Sequence, residues 1–263
     1  MKRWIPFMKS DPTVAVVRLN GMIATGRGLN DAGIAPVIEK AFAKGKPKAV
    51  AIIINSPGGS PVQSSLIGAR IRRLADEKEI PVYAFVEDVA ASGGYWLASA
   101  ADEIWVDPAS VVGSIGVISA GFGAHELLQR YGVERRVYTA GNSKSMLDPF
   151  KPEQEADVKR LKVLLEQLHE VFKDQIRKGR GDKLPDDQDL FTGEIWAGQA
   201  AVDVGLADGV GHVVPKMKEL FGDKVRFQVY GQRKSFLQRF GANIVGDALT
   251  QIEERAQYSK FGL

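Results

Sequence analysis

An α/β fold with largely parallel strand pairing is what this sequence predicts, on three observations. Its 263 residues are 44% hydrophobic and 25% charged, the balance of an ordinary globular chain. Short apolar and β-branched runs alternate with stretches of helical periodicity, as in repeated strand–helix–strand units. The run "KAVAIIIN" at 48–55 is almost unbroken apolar, as expected of a strand covered on both faces.

The elements follow in order. "TVAVVRL" at 13–19 is a short β-branched strand. Asn30 or Asp31 caps a helix that runs to about Lys44. After the strand at 48–55 and the turn "SPGGSP" comes a helix over 62–78, with Leu66, Ile67, Ala69, Ile71 and Leu74 as its core face. "IPVYAFVE" at 80–87 is the next strand, and "VAASGGYWLASAAD" at 89–102 supplies the helix after it. "DEIWVDP" is a short strand stopped by Pro108, and "SVVGSIGVIS" is a β segment broken by glycine. A helix near 123–131 leads to "ERRVYTAG", read as another strand. A long amphipathic helix spans about 152–177, and "KGRGDKLPDD" reads as an exposed loop. "WAGQAAVDVGLADGVG" gives a short helix, a turn and a strand. From 214 onward there is a helix, the strand "KVRFQVYG" and a last helix. The organisation expected is a flexible segment over 1–12, a main domain over 13–213 and a C-terminal extension over 214–263 suited to oligomerisation.

Composition narrows the function. A net charge of +3 gives no case for nucleic acid. The absence of cysteine excludes disulfides, thiolate metal sites and a Cys nucleophile. His125, His169 and His212 lie far apart, in no metal-binding spacing. The start "MKRWIPFMKSDPTV" is too short in apolar residues for a signal peptide, and no run approaches a membrane span of about 20 residues. The expectation is a soluble chain, cytoplasmic or peripherally membrane-associated through Trp4, Ile5, Phe7 and Met8.

The chemistry concentrates at two strand ends. "IIINSPGGSP" sets Gly58 and Gly59 after one buried strand, and "FVEDVAASGG" sets Ser92 and Gly93 at the head of a helix. Two adjacent glycines at a helix start cost roughly 1 kcal/mol each against alanine, so packing alone does not account for them. Glycine lets the backbone approach a substrate closely, and a helix start leaves amide N–H groups unpaired. Two such turns can aim two donors at one developing oxyanion. Each also has a plain reading, since Pro-Gly-Gly is a common turn and serine a common N-cap. No G-x-S-x-G surrounds any serine, and none of the three histidines is marked as a base. A lysine serves as base when it is held neutral. Lys144, in the polar turn "GNSKS" leading into Met146, Leu147 and Phe150, is the candidate.

Five segments, in order, resemble the signal peptide peptidase A family, the S49 serine peptidases. They are "INSPGGS" (54–60), "DVAASGGYWLASAAD" (88–102), "VGSIGVI" (112–118), "YTAGNSKSMLDPF" (138–150) and "GEIWAGQAAVDVGLADGVG" (193–211). The resemblance implies a crotonase-like, Clp-protease-like fold and a Ser–Lys dyad. Ser92 is then the nucleophile, Lys144 the general base 52 residues later, and Ser114 the serine that holds the lysine. Gly59 and Gly93 supply the oxyanion-hole amides. No cofactor or metal is implied. One copy of each motif matches the short, single-domain form. The form implies a homo-oligomeric ring in which a neighbouring subunit completes each site. The implied substrates are extended peptides such as remnant signal peptides, with small or apolar side chains. The family's usual N-terminal membrane anchor is not visible in this chain. Two other readings share the fold: a crotonase-type acyl-CoA enzyme, and a non-catalytic peptide-binding ring.

Overall fold

The computed structural model describes residues 11–26, 28–141, 143–231 and 255–263. The chain forms two compact units, one of Met1–Ile115 with Lys173–Leu263, the other of Gly116–Phe172. In order, the first unit opens with β1 (Thr13–Asn20), α1 (Asp31–Ala43), β2 (Ala49–Ser56), α2 (Pro61–Lys78) and β3 (Val82–Ala91). It continues through α3 (Gly93–Ala98), β4 (Glu103–Val106) and β5 (Val111–Gly113). The second unit holds α4 (His125–Arg130) and the start of α5 (Glu155–Arg180). The first unit then ends with β6 (Ile195–Ala197), α6 (Gly198–Asp203), β7 (Gly209–Val210), α7 (Val213–Phe221) and β8 (Arg226–Tyr230).

The strands make one sheet in the order β6-β5-β3-β2-β1-β8, with β4 beside β3 and β7 beside β4. Every pairing is parallel except β5 with β6. The α/β expectation therefore holds. β2 is central and buried along almost its whole length, which is why its sequence shows no polar alternation. One face packs Val17, Leu19, Val50 and Ile52 against Ile38 and Phe42 of α1 and Ile71 of α2. The other buries Val14, Val16, Ala51, Ile53 and Phe85 with Met217 of α7 and Val225. Residues after 214 thus contribute α7 and β8 to the same sheet and core.

Four expectations change. In α2 the buried positions are Ser64, Ile67, Gly68, Ile71, Leu74 and Ala75, a face of helical period. Leu66 and Ala69 point off it, and Leu66 is 47% exposed. Gly68 takes the inward place because the ring of Trp96 lies where a side chain would go, 3.2 Å from an added Cβ. Leu66→Ala is accordingly expected to shift stability by no more than about 0.5 kcal/mol, and Ile67→Ala to cost about 2–5 kcal/mol, both read from thermal unfolding.

Second, β3 runs past residue 87 to Ala91, so the helix begins only at Gly93. β3 changes partners along its length: residues 83–86 pair with β4, and 89–91 with β5. Between Ile54↔Val86 and Ser56↔Ala90 it carries two more residues than β2, a bulge. Ser110 Oγ sits at this bulge, 3.0 Å from the Val86 carbonyl and 2.5 Å from that of Glu87, and accepts from Asp107 N–H at 2.9 Å.

Third, residues 134–139 form no strand. A strand needs a ladder partner, and none of the described residues offers one in the second unit. Arg135 instead binds both carboxylate oxygens of Asp148 and lies 5.0 Å over the Phe150 ring. Fourth, "KGRGDKLPDD" is not all exposed loop, since α5 continues to Arg180, which is only 3% exposed. The last helix, expected within 243–258, lies mostly outside the described residues. Residues 255–258 are helical, and the Tyr258 hydroxyl donates to the Asn55 carbonyl at 2.8 Å.

Candidate active site

The site begins where β3 stops. Ser92 is the single residue between β3 and α3, with φ 51° and ψ −121°. A positive φ at a residue with a Cβ is strained by about 1–3 kcal/mol and persists only where its surroundings impose it. Here the ladder holds one side, with Ser92 N–H donating to Gly113 O at 2.8 Å, and the helix holds the other, with Trp96 N–H donating to Ser92 O at 3.0 Å. The turn after β2 presses against the same point. A Cβ on Gly58 would lie 2.8 Å from Ser92 Cβ and 2.7 Å from Ala91 O, and one on Gly94 would lie 2.4 Å from Ser56 O. Only glycine fits either place.

Ser92 occupies the N-cap position, yet its side chain makes no capping hydrogen bond. The plain reading of this serine is thereby removed, and the hydroxyl is left for another use.

Two amides lie beside it. Ile23 N–H donates to Gly58 O at 2.8 Å, and Ser60 N–H donates to Ile23 O at 2.7 Å. These bonds occupy the neighbours of Gly59 and leave its own N–H, at φ 139°, without a partner among the described residues. Gly93 is the first residue of α3, where the backbone donor has no intrahelical acceptor. A Cβ built on Gly93 would lie 3.4 Å from Gly59 N and 2.4 Å from Ser64 Oγ, so the two backbones are neighbours. Ser64 is fully buried, and its hydroxyl donates to Ser60 O at 2.9 Å. Its place under the two glycine turns has no signal in the sequence.

Ser114 follows the paired residue Gly113, just as Ser92 follows its partner Ala91. The two serines thus stand at adjacent strand ends. Ser114 also has a positive φ, 52°, and its N–H donates to Glu194 O at 2.6 Å. Lys144 belongs to the second unit, exposed in a turn where its N–H donates to Gly141 O at 3.1 Å. Of the histidines, His212 is engaged with Asp107 at 2.8 Å.

A buried ionic cluster in the first unit escaped the sequence reading, because Arg180 sits among loop-like neighbours. Arg180 donates to Gly205 O at 2.9 Å and to Asp208 Oδ2 at 2.7 Å. Lys183 Nζ donates to Asp208 Oδ1 at 2.5 Å, and Ile104 N–H to Asp208 Oδ2 at 2.7 Å. Burial alone would raise the Asp208 carboxyl. The bonds from Arg180, Lys183 and Ile104 outweigh it and hold the group below its ordinary value of 3.8. A depressed folded value means that this contribution to stability is complete above about pH 5 and is lost as pH falls below the ordinary value towards the folded one. The melting midpoint should therefore drop through that acid range, and Asp208→Asn should lower it near neutrality while removing part of the acid slope. Thermal melts from pH 3 to 7 read both.

A strained serine between strand and helix, with no hydrogen bond to its hydroxyl and two unpaired amides beside it among the described residues, is the arrangement that acyl transfer at a serine would need. A family model described as Peptidase family S49 matches residues 75–222. Serine protease SPPA, chloroplastic, of Arabidopsis thaliana is 33% identical over 210 residues, covering 75% of this chain and 30% of that protein. Probable protease SohB of Haemophilus influenzae is 31% identical over 207 residues, covering 77% of this chain and 57% of that protein. A Brucella melitensis protein named Na(+)/H(+) antiporter NhaA is 46% identical over 286 residues, covering 100% of this chain and 39% of that protein. The chain spans between 30% and 57% of the length of these relatives. It belongs to peptidase family S49. Among the described residues no helix is long and apolar enough to cross a membrane.

Proposed function

We propose that the chain is a serine endopeptidase working through a Ser92–Lys144 dyad and an acyl-enzyme. The observation that carries this reading is the Ser92 hydroxyl, unused as a cap and next to the amides of Gly59 and Gly93, which are unpaired among the described residues. Ser92 Oγ attacks the scissile carbonyl while the neutral Lys144 amine takes its proton. The Gly59 and Gly93 N–H groups receive the resulting oxyanion. The lysine then gives its proton to the leaving amine, and water attacks the acyl-enzyme by the same route in reverse. Ser114 holds the lysine amine in place.

The substrates proposed are extended peptides of the remnant-signal-peptide kind, bound by strand addition. The working form proposed is a homo-oligomeric ring in which Lys144 comes from a neighbouring subunit, in keeping with its exposed turn. The chain is proposed to act as a soluble or peripherally membrane-bound peptidase.

Labelling with a fluorophosphonate probe tests the reading on wild type, Ser92→Ala and Lys144→Ala, with assembly mass measured in parallel. Labelling of wild type alone is the expected result. An assembled wild type that does not label, or Ser92→Ala labelling as well as wild type, overturns it.

A further inference from the structure

α3, the helix that follows Ser92, is only six residues long and begins without a side-chain cap. Such a helix does not hold its own place, so its orientation is set by what it touches. Three residues beyond Ser92 lies Tyr95, fully buried, whose hydroxyl donates to the carbonyl of Leu206 at 2.8 Å. Its ring is buried in the core, and its oxygen makes the bond. The oxygen ties α3 to the turn after α6.

That turn is held rigidly. Leu206 and Ala207 N–H both donate to Ala201 O, and Gly205, at φ 75°, is packed so closely on the Lys183 carbonyl that no side chain fits. Arg180 grips the turn at Gly205 O and at both Asp208 oxygens, and Asp208 is bonded in turn to Ile104 N–H of β4. The same stretch reaches Ser92 from its other side. β6 pairs with β5, whose Gly113 carbonyl accepts the Ser92 N–H. Residues 194–208 therefore hold the serine both before and after its strained φ.

We propose that Tyr95 is a positioning residue for the nucleophile, and that the turn Gly205–Asp208, locked by Arg180, is the fixed point against which it sets α3. This rests on the reading of Ser92 as the nucleophile. Misplacing a reacting group by about 1 Å costs on the order of 100-fold in rate, and loss of one tie to a helix otherwise packed in place shifts it by less. Tyr95→Phe should lower kcat and the rate of fluorophosphonate labelling roughly ten-fold, with KM unchanged.

The experiment compares the full chain, as wild type, Tyr95→Phe and Arg180→Lys, each assayed for peptide cleavage and labelling at the same interval below its own melting midpoint. Arg180→Lys retains the charge but not the fork that spans Gly205 and Asp208, and should reproduce the kcat loss in part. A kcat and labelling deficit in Tyr95→Phe that persists at matched intervals, with KM constant, supports the proposal. A deficit that vanishes at matched intervals, or wild-type kcat with only a lowered midpoint, overturns it: the hydroxyl then serves stability alone. Wild type and Ser92→Ala labelling alike removes the underlying reading, a result distinct from either.

Discussion

Ser92→Ala is expected to lower peptide hydrolysis by about 10⁶-fold while leaving the fold intact, and Lys144→Ala to match it within about ten-fold. The size follows from how a nucleophile and its base act. They form one proton-transfer unit, so losing either removes nearly the whole contribution of both. Rate left over above the uncatalysed reaction comes from substrate binding and the oxyanion donors. The fold should survive because the Ser92 hydroxyl caps nothing. Alanine at a positive φ bears the same strain as serine, since both carry a Cβ. A melting midpoint close to wild type, together with the loss of turnover, would separate chemistry from folding. Cleavage by Ser92→Ala at near wild-type rate would rule Ser92 out as nucleophile.

Gly59→Ala should have the next largest effect, a loss of about 10²–10³-fold in kcat, the range seen when one oxyanion donor is withdrawn. A Cβ at this position would lie 2.1 Å from the Ile23 carbonyl oxygen and 2.9 Å from its carbon. Both are backbone atoms, so no side-chain rotation relieves the clash. The φ of 139° adds strain for any residue with a Cβ. The loop must move, and its N–H moves with it. Stopped-flow labelling should slow in parallel with peptide turnover, because the probe also develops negative charge on an oxygen in its transition state. Gly121→Ala is the control: nothing lies within 4 Å of its Cβ, and its activity should be unchanged. Equal activity in the two variants would exclude Gly59 from the oxyanion hole.

The parts of this molecule that were legible in sequence are those whose physics is local. β2 is buried on both faces, so "AIIIN" announces it without reference to any neighbour. Asn30 accepts the Gly33 N–H and caps α1, as its residue type promised. Ser92, Gly59 and Gly93 drew notice through short motifs, and the parallel pairing of β2 with β3 brings the two motifs, 33 residues apart in the chain, side by side. What failed depended on partners elsewhere. "ERRVYTAG" has strand-like residues but no ladder to join. Arg180, flanked by glycines and charged residues, is buried only because Asp208 waits 28 residues later. The strained backbone of Ser92 had no sequence signature either, since it is imposed jointly by Gly113, Gly58 and the helix that follows.

The two extra residues of β3 have a consequence of parity. Side chains alternate faces along a strand, so an odd insertion would exchange inside for outside in everything downstream. An even one leaves Val86 and Ala90 in phase with Ile54 and Ser56 of β2. With regular alternation kept, the strand is lengthened or shortened here in steps of two if Ala90 and Ala91 are to stay buried and Ser92 is to emerge facing the glycine turn.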